Sequence, residues 1–210
     1  MSAIRLLTTG VFTLIVTLSA AADDYSLVPE KFVYCTTCHG VELRGNASVD
    51  APRLNGMEAW YIRNQMLAFR HGRRGTHPED VNGMEMQPQA ATLSEREIED
   101  AVAFVTALPV RSQTIEHTLT GDAGRGQSLY ATCSACHGDR GQGNQMLNAP
   151  RLAGQSDWYL ARQLEKFRAG IRGYDPADTA GAQMRASVQT LTSEEDIQDV
   201  VAYINTLPVN

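Results

Sequence analysis

Two copies of one five-residue motif hold every cysteine of this 210-residue chain: "CTTCH" at Cys35, Cys38 and His39, and "CSACH" at Cys133, Cys136 and His137. Thiols two residues apart with an imidazole directly after them suit three chemistries. Two such pairs can share one zinc ion, but zinc ribbons set the pairs about 15–20 residues apart and do not need the trailing histidines. A thioredoxin-like redox pair expects a strand leading into a helix, which "EKFVYCTTCHG" does not supply. The third chemistry is covalent haem attachment. The two thiols form thioethers with the haem vinyl groups, and the next residue brings an imidazole over the iron. Two occurrences, each with its histidine, favour two haem c groups.

The motifs sit in an internal repeat. Residue n laid over residue n+98 aligns both cysteines and the histidine, then "APRL" from Ala51 to Leu54 over "APRL" from Ala149 to Leu152. Trp60 and Tyr61 meet Trp158 and Tyr159, and Gln65, Phe69, Arg70, Gly72, Arg74 and Gly75 also meet their own kind. After Leu93 and Leu191 the second copy holds one extra residue, and the copies end in "ALPV" and "TLPV". A period of this length marks a duplicated domain. The resulting division is a signal peptide at 1–22, a first domain at 23–110, a polar linker at 111–120 and a second domain at 121–210.

Each copy reads as helical. Ile62, Met66 and Phe69, and likewise Leu160, Leu164 and Phe167, fall at i, i+4 and i+7 on one helix face. Ser94 with Glu97, and Thr192 with Glu195, fit capping boxes that open a last helix. That helix carries Ile98, Ala101, Val102 and Val105 in one copy and Ile197, Val200, Val201 and Ile204 in the other. No run alternates as a strand would, so the expected fold is all-α with long loops. Domains of about 90 residues have marginal cores, which a large apolar macrocycle would complete.

A haem iron held by histidine takes methionine or histidine as its second ligand in a carrier, and keeps the position open in a catalyst. Met184 in "AGAQMRASVQTL" and Met86 in "NGMEMQPQAATL" align at the same offset, each seven residues before the leucine that precedes the capping box. Met84 aligns with Ala182. The repeat therefore selects Met86 and Met184 as iron ligands and leaves Met84 to pack. His71 and His77 align with Ala169 and Asp175, and His117 lies in the linker; these read as solvated surface histidines.

The first residues, "MSAIRLLTTGVFTLIVTLSAAADD", hold one basic residue, an apolar run from Leu6 to Leu18 and small residues up to Ala22. That pattern is an export signal, too short for a membrane span of about 20 residues. Its removal takes away Arg5 and no acid, leaving 17 basic and 24 acidic residues and a formal charge of −7. Nucleic-acid binding, which needs basic patches, is not expected of such a chain.

"CTTCHG" with "APRLNG" and Met86, then "CSACHGDRGQG" with "APRLAGQ" and Met184, resembles the dihaem cytochrome c4 family, over about residues 28–209. The resemblance implies two tandem class I cytochrome c domains, face to face, with His39/Met86 and His137/Met184 irons. It implies a periplasmic carrier of single electrons that binds no small-molecule substrate. Its partners would be membrane-bound respiratory complexes, such as a terminal oxidase, or other redox proteins, met in solution or at the membrane surface. Two alternatives stand beside it: the cytochrome subunit of a dehydrogenase, and a dihaem enzyme acting on peroxide or a sulfur compound. By the same resemblance Pro52 and Pro150 supply the carbonyls that accept from the ligating histidines. Trp60, Tyr61, Trp158, Tyr159, Arg74 and Arg172 reach the haem propionates or, alternatively, serve as packing and solvated charge. One departure is the first copy's start, "DDYSLVPEKFVYC", which lacks the "GDAGRGQSLYATC" pattern of the second.

Overall fold

A computed structural model of the chain describes residues 28–110 and 117–209. The expected signal peptide at 1–22 lies outside these residues, as does most of the linker.

The first copy forms α1 (Val33–His39), α2 (Ala59–Arg70), α3 (Val81–Ala91) and α4 (Glu95–Ala107). The second forms α5 (Ala123–His137), α6 (Asp157–Arg168), α7 (Thr179–Ser187) and α8 (Glu194–Ile204). Among the described residues the only extended pairing is two isolated bridges, Asn46 with Ala51 and Asn144 with Ala149. The fold is all-α, as the sequence implies. No helix among the described residues is long and apolar enough to cross a membrane.

The apolar stripes fall where the sequence puts them. Ile62, Ile98, Val102 and Val105 are buried with Leu43 in the first domain. Leu160, Phe167, Ile197, Val200, Val201 and Ile204 are buried in the second. Each such side chain contributes about 1.5–3 kcal/mol on leaving water. Ser94 and Glu97 close the capping box at the start of α4. The second box corrects the expectation by one residue: its members are Ser193 and Asp196, not Thr192 and Glu195. The extra residue of the second copy has already been absorbed at that point, so Ser193 stands where Ser94 does. Thr192 instead donates its hydroxyl to Asp196 Oδ2 at 2.9 Å, and Glu195 stays exposed.

The two copies differ at their first helices. α5 packs so closely on α8 that a Cβ on Gly126 would stand 1.9 Å from the Asp199 carbonyl oxygen. Val28 holds that place in the first copy and is buried against Phe32 and Ala101. A side chain there forbids the same approach, and among the described residues a short 3-10 turn, Glu30–Phe32, leads into α1. An aromatic pair marks both crossings, Phe32 on Phe104 at 5.2 Å and Tyr130 on Tyr203 at 5.3 Å.

The copies face each other across a pseudo-twofold axis. Arg74 donates to Gln65 Oε1 in its own domain at 2.6 Å and to Tyr159 and Gln163 across the boundary at 3.3 and 3.4 Å. Arg172 mirrors it, donating to Gln163 at 2.7 Å and to Gln65 at 3.2 Å. Other contacts break the symmetry. Buried Lys166 reaches from α6 to Asp80 at 2.6 Å and to Asn82 at 3.0 Å. Ala68 stands at the position of Lys166 in the first domain, so Asp178 has no such lysine.

Candidate functional site

Each CxxCH motif occupies the C-terminal end of a helix. His39 ends α1 and His137 ends α5, and both chains leave through a glycine of positive φ, Gly40 at 78° and Gly138 at 80°. A β-carbon disfavours that conformation, so glycine sets the exit after the histidine. Both imidazoles are buried, 7% exposed. His39 Nδ1 donates to the Pro52 carbonyl at 2.8 Å, and His137 Nδ1 to the Pro150 carbonyl at 2.7 Å. A carbonyl only accepts, so the proton sits on Nδ1 and Nε2 keeps its lone pair. Burial lowers the pKa of both rings, against the opposing pull of the proline carbonyls, which favours the neutral, ligating form.

No disulfide joins any of the four cysteines among the described residues. Cys35 and Cys133 are half-buried, and burial raises their pKa; Cys38 and Cys136 are exposed. Among the described residues no three His, Cys, Asp or Glu side chains gather into a metal-binding group. The pairs therefore lie in separate domains rather than around a shared zinc.

A cleft in the second domain brings together Cys133, Cys136, His137, Pro150 and Met184 with apolar walls from Leu160, Phe167 and Val200. Its rim includes Met57, Tyr61 and Gln65 of the first domain. The repeat places Cys35, Cys38, His39, Pro52 and Met86 in the corresponding positions. Met86 and Met184 are partly exposed, on α3 and α7. Met84 corrects the expectation that it packs, since 48% of it is exposed.

Sequence reasoning missed how the methionine helices are held. Asp80 caps α3 through Gly83 N–H at 3.2 Å, and Asp178 caps α7 through Gly181 N–H at 2.9 Å. A Cβ on Gly83 or Gly181 would press to within 2.0 or 2.1 Å of the capping carboxylate. A Cβ on Gly75 or Gly173 would strike the Gly83 or Gly181 carbonyl, at 2.3 or 2.2 Å. Asp80, Gly83 and Met86 recur as Asp178, Gly181 and Met184 at the repeat offset, a signal that was available in the sequence.

Tyr61, Tyr159, Arg74 and Arg172 meet at the domain boundary. Burial, together with repulsion from Arg74, lowers the Arg172 pKa. Burial raises that of Tyr61; at Tyr159 burial is outweighed by the two guanidinium groups, and its pKa falls. Neither arginine is hydrogen-bonded to a carboxylate among the described residues, and Arg74 Nε is buried without an acceptor. Two adjacent cations, Arg172 buried and Arg74 partly buried, with no carboxylate hydrogen-bonded to either, suit anionic oxygens, and haem propionates are of that kind. The residues thus fit the group. Trp60 and Trp158 stand edge-on to Tyr61 and Tyr159, at 5.8 and 5.9 Å, and Arg162 lies over the Trp158 ring. Among the described residues no indole N–H contact brings either tryptophan into the arginine cluster.

The family model for cytochrome c matches residues 30–109 and 123–208. A thiosulfate dehydrogenase electron acceptor of Stutzerimonas stutzeri is 35% identical over 209 residues, 92% of this chain and 91% of that protein. Cytochrome c4 of Azotobacter vinelandii is 29% identical over 216 residues, 97% of this chain and 99% of that one. Reduced cytochrome c4 from Pseudomonas stutzeri has a similar structure, with a TM-score of 0.66 at 30% identity over 85% of this chain and 95% of that one. A thiosulfate dehydrogenase from Marichromatium purpuratum also reaches 0.66 at 30% identity, over 83% of this chain and 36% of that one.

Proposed function

The chain belongs to the cytochrome c family, as a dihaem electron-transfer protein of the c4 kind with two covalently bound haem c groups, and we propose the finer reading that follows. It works in the periplasm, exported by residues 1–22, and passes single electrons from a dehydrogenase to a respiratory acceptor such as a terminal oxidase. His39 and Met86 ligate the first iron, and His137 and Met184 the second. The observation that supports this most is the duplicated set: two buried histidines on proline carbonyls, each followed at the same spacing by a capped helix bearing methionine.

Bound haem supplies reversible one-electron exchange at its iron. Cys35 and Cys38, and Cys133 and Cys136, fix it covalently through thioethers. The Pro52 and Pro150 carbonyls orient the rings and raise ligand basicity. Methionine ligation favours ferrous iron and raises the potential. Arg74, Arg172, Tyr61 and Tyr159 would hold the propionates, with Trp60 and Trp158 packed edge-on against the tyrosines.

The donor we favour is an enzyme that oxidises a sulfur compound, because the 35%-identical relative is named as an electron acceptor of thiosulfate dehydrogenase. Two experiments test these readings. A spectroelectrochemical titration of the mature protein should give two one-electron steps, low-spin spectra and a near-infrared methionine-to-iron band. A high-spin haem or a missing band would refute the ligand assignment. Rapid mixing with a thiosulfate dehydrogenase and thiosulfate should reduce the protein within the enzyme's turnover time; reduction only by other dehydrogenases would refute the donor.

A further inference from the structure

Glu58 opens α2 at the N-cap position but makes no side-chain capping bond to its own helix. Its carboxylate crosses the domain boundary and accepts from Arg151 N–H with both oxygens, at 3.1 and 3.3 Å. That N–H belongs to the same peptide group as the Pro150 carbonyl, which accepts from His137 Nδ1 at 2.7 Å. One line of contact therefore runs from a carboxylate of the first domain, through one peptide group, to the axial histidine of the second. Gly143 keeps the crossing open, since a Cβ there would stand 2.6 Å from Arg151 N and 2.9 Å from Glu58 Oε1.

The first domain has no equivalent. His39 meets the Pro52 carbonyl at 2.8 Å, but the residue aligned with Glu58 is Ser156, which carries no charge. No carboxylate accepts from Arg53 N–H among the described residues.

We propose that Glu58 is a positioning residue that lowers the potential of the second haem selectively, by polarising the Pro150–Arg151 peptide against His137. Negative charge at an amide N–H drives electron density toward the carbonyl oxygen, and linked hydrogen bonds strengthen one another. A stronger acceptor at Nδ1–H makes imidazole a more basic ligand, which favours ferric iron. The two domains share one ligand plan, and this contact sets their irons apart.

The proposal rests on His137 as an iron ligand. The test uses the holoprotein with Glu58→Gln, which keeps an acceptor and removes the charge, and with Glu58→Asp, which keeps the charge and shortens its reach. Met86→His and Met184→His each lower their own haem's potential and so assign the two steps of the titration. Glu58→Gln should shift electron sharing toward the second haem by up to about tenfold, about 59 mV for a one-electron couple. It should leave the first haem in place and move the His137 Nδ1–H proton resonance toward a weaker hydrogen bond. Glu58→Asp should give a smaller shift of the same sign. An unmoved second potential, an equal shift of both, or a shift with the Nδ1–H resonance unchanged would each overturn the relay. Absence of iron-shifted His137 ring resonances in the unsubstituted protein would instead overturn the ligand assignment on which it rests.

Discussion

Met84 and Met86 stand two residues apart on α3, so their side chains leave the helix roughly 200° apart and cannot serve the same site. Met84 faces solvent, and Met86 holds the place that Met184 has at the edge of the second cleft. Met86→Ala should open the first iron to carbon monoxide and cyanide, while Met84→Ala should leave ligand binding and thermal stability almost unchanged; absorbance spectra with each ligand decide this. The repeat points to Met86, because only it has a methionine counterpart, Met184, in the second copy. Glu58 was not legible, since its role depends on a contact with Arg151, 93 positions away, that no local pattern encodes.

At the level of elements, α2, α4, α6 and α8 were readable because each buries an apolar stripe of helical period. The methionine helices α3 and α7 were not, because glycine, alanine and polar residues give them little stripe. Their order comes from an aspartate cap and from glycine pairs that let the chain cross them closely. The α5–α8 crossing depends on Gly126 in the same way. Gly126→Ala should cost the holoprotein about 2–3 kcal/mol of stability in chemical unfolding, because two backbones rather than a flexible side chain must part. At the start of α8, the Thr192 hydroxyl, the Thr192 and Ser193 N–H groups and Arg125 hold the Asp196 carboxyl at about 2. The unfolded chain binds that proton near pH 3.9, so this contribution is complete above that value and disappears as pH falls to about 2. Thermal scans of Asp196→Asn should show its deficit in full at about pH 6 and none at about pH 2.

Across the whole molecule, the interface combines a symmetric arginine cluster with contacts found on one side only. Lys166 is the clearest of these: it neutralises Asp80, whose carboxylate also caps the helix that carries Met86. Truncating one partner of a buried pair strands the other, so Lys166→Ala should cost about 3–5 kcal/mol. Calorimetry should find much of that loss restored by adding Asp80→Asn, and a Lys166→Ala protein as stable as the parent would contradict the pairing. Domains this small also depend on the macrocycle to fill their clefts, and haem-free protein should lack a cooperative, native-like thermal transition. The sequence by itself determined the duplication, the helical class, the thiols and the paired histidines and methionines, because spacing along one chain fixes what one helix or loop can present. Only the tertiary structure decided which charges cross between the domains. Glu58, Lys166 and the arginine pair acquire their partners when two similar halves meet face to face, and their differences become functional only in that contact.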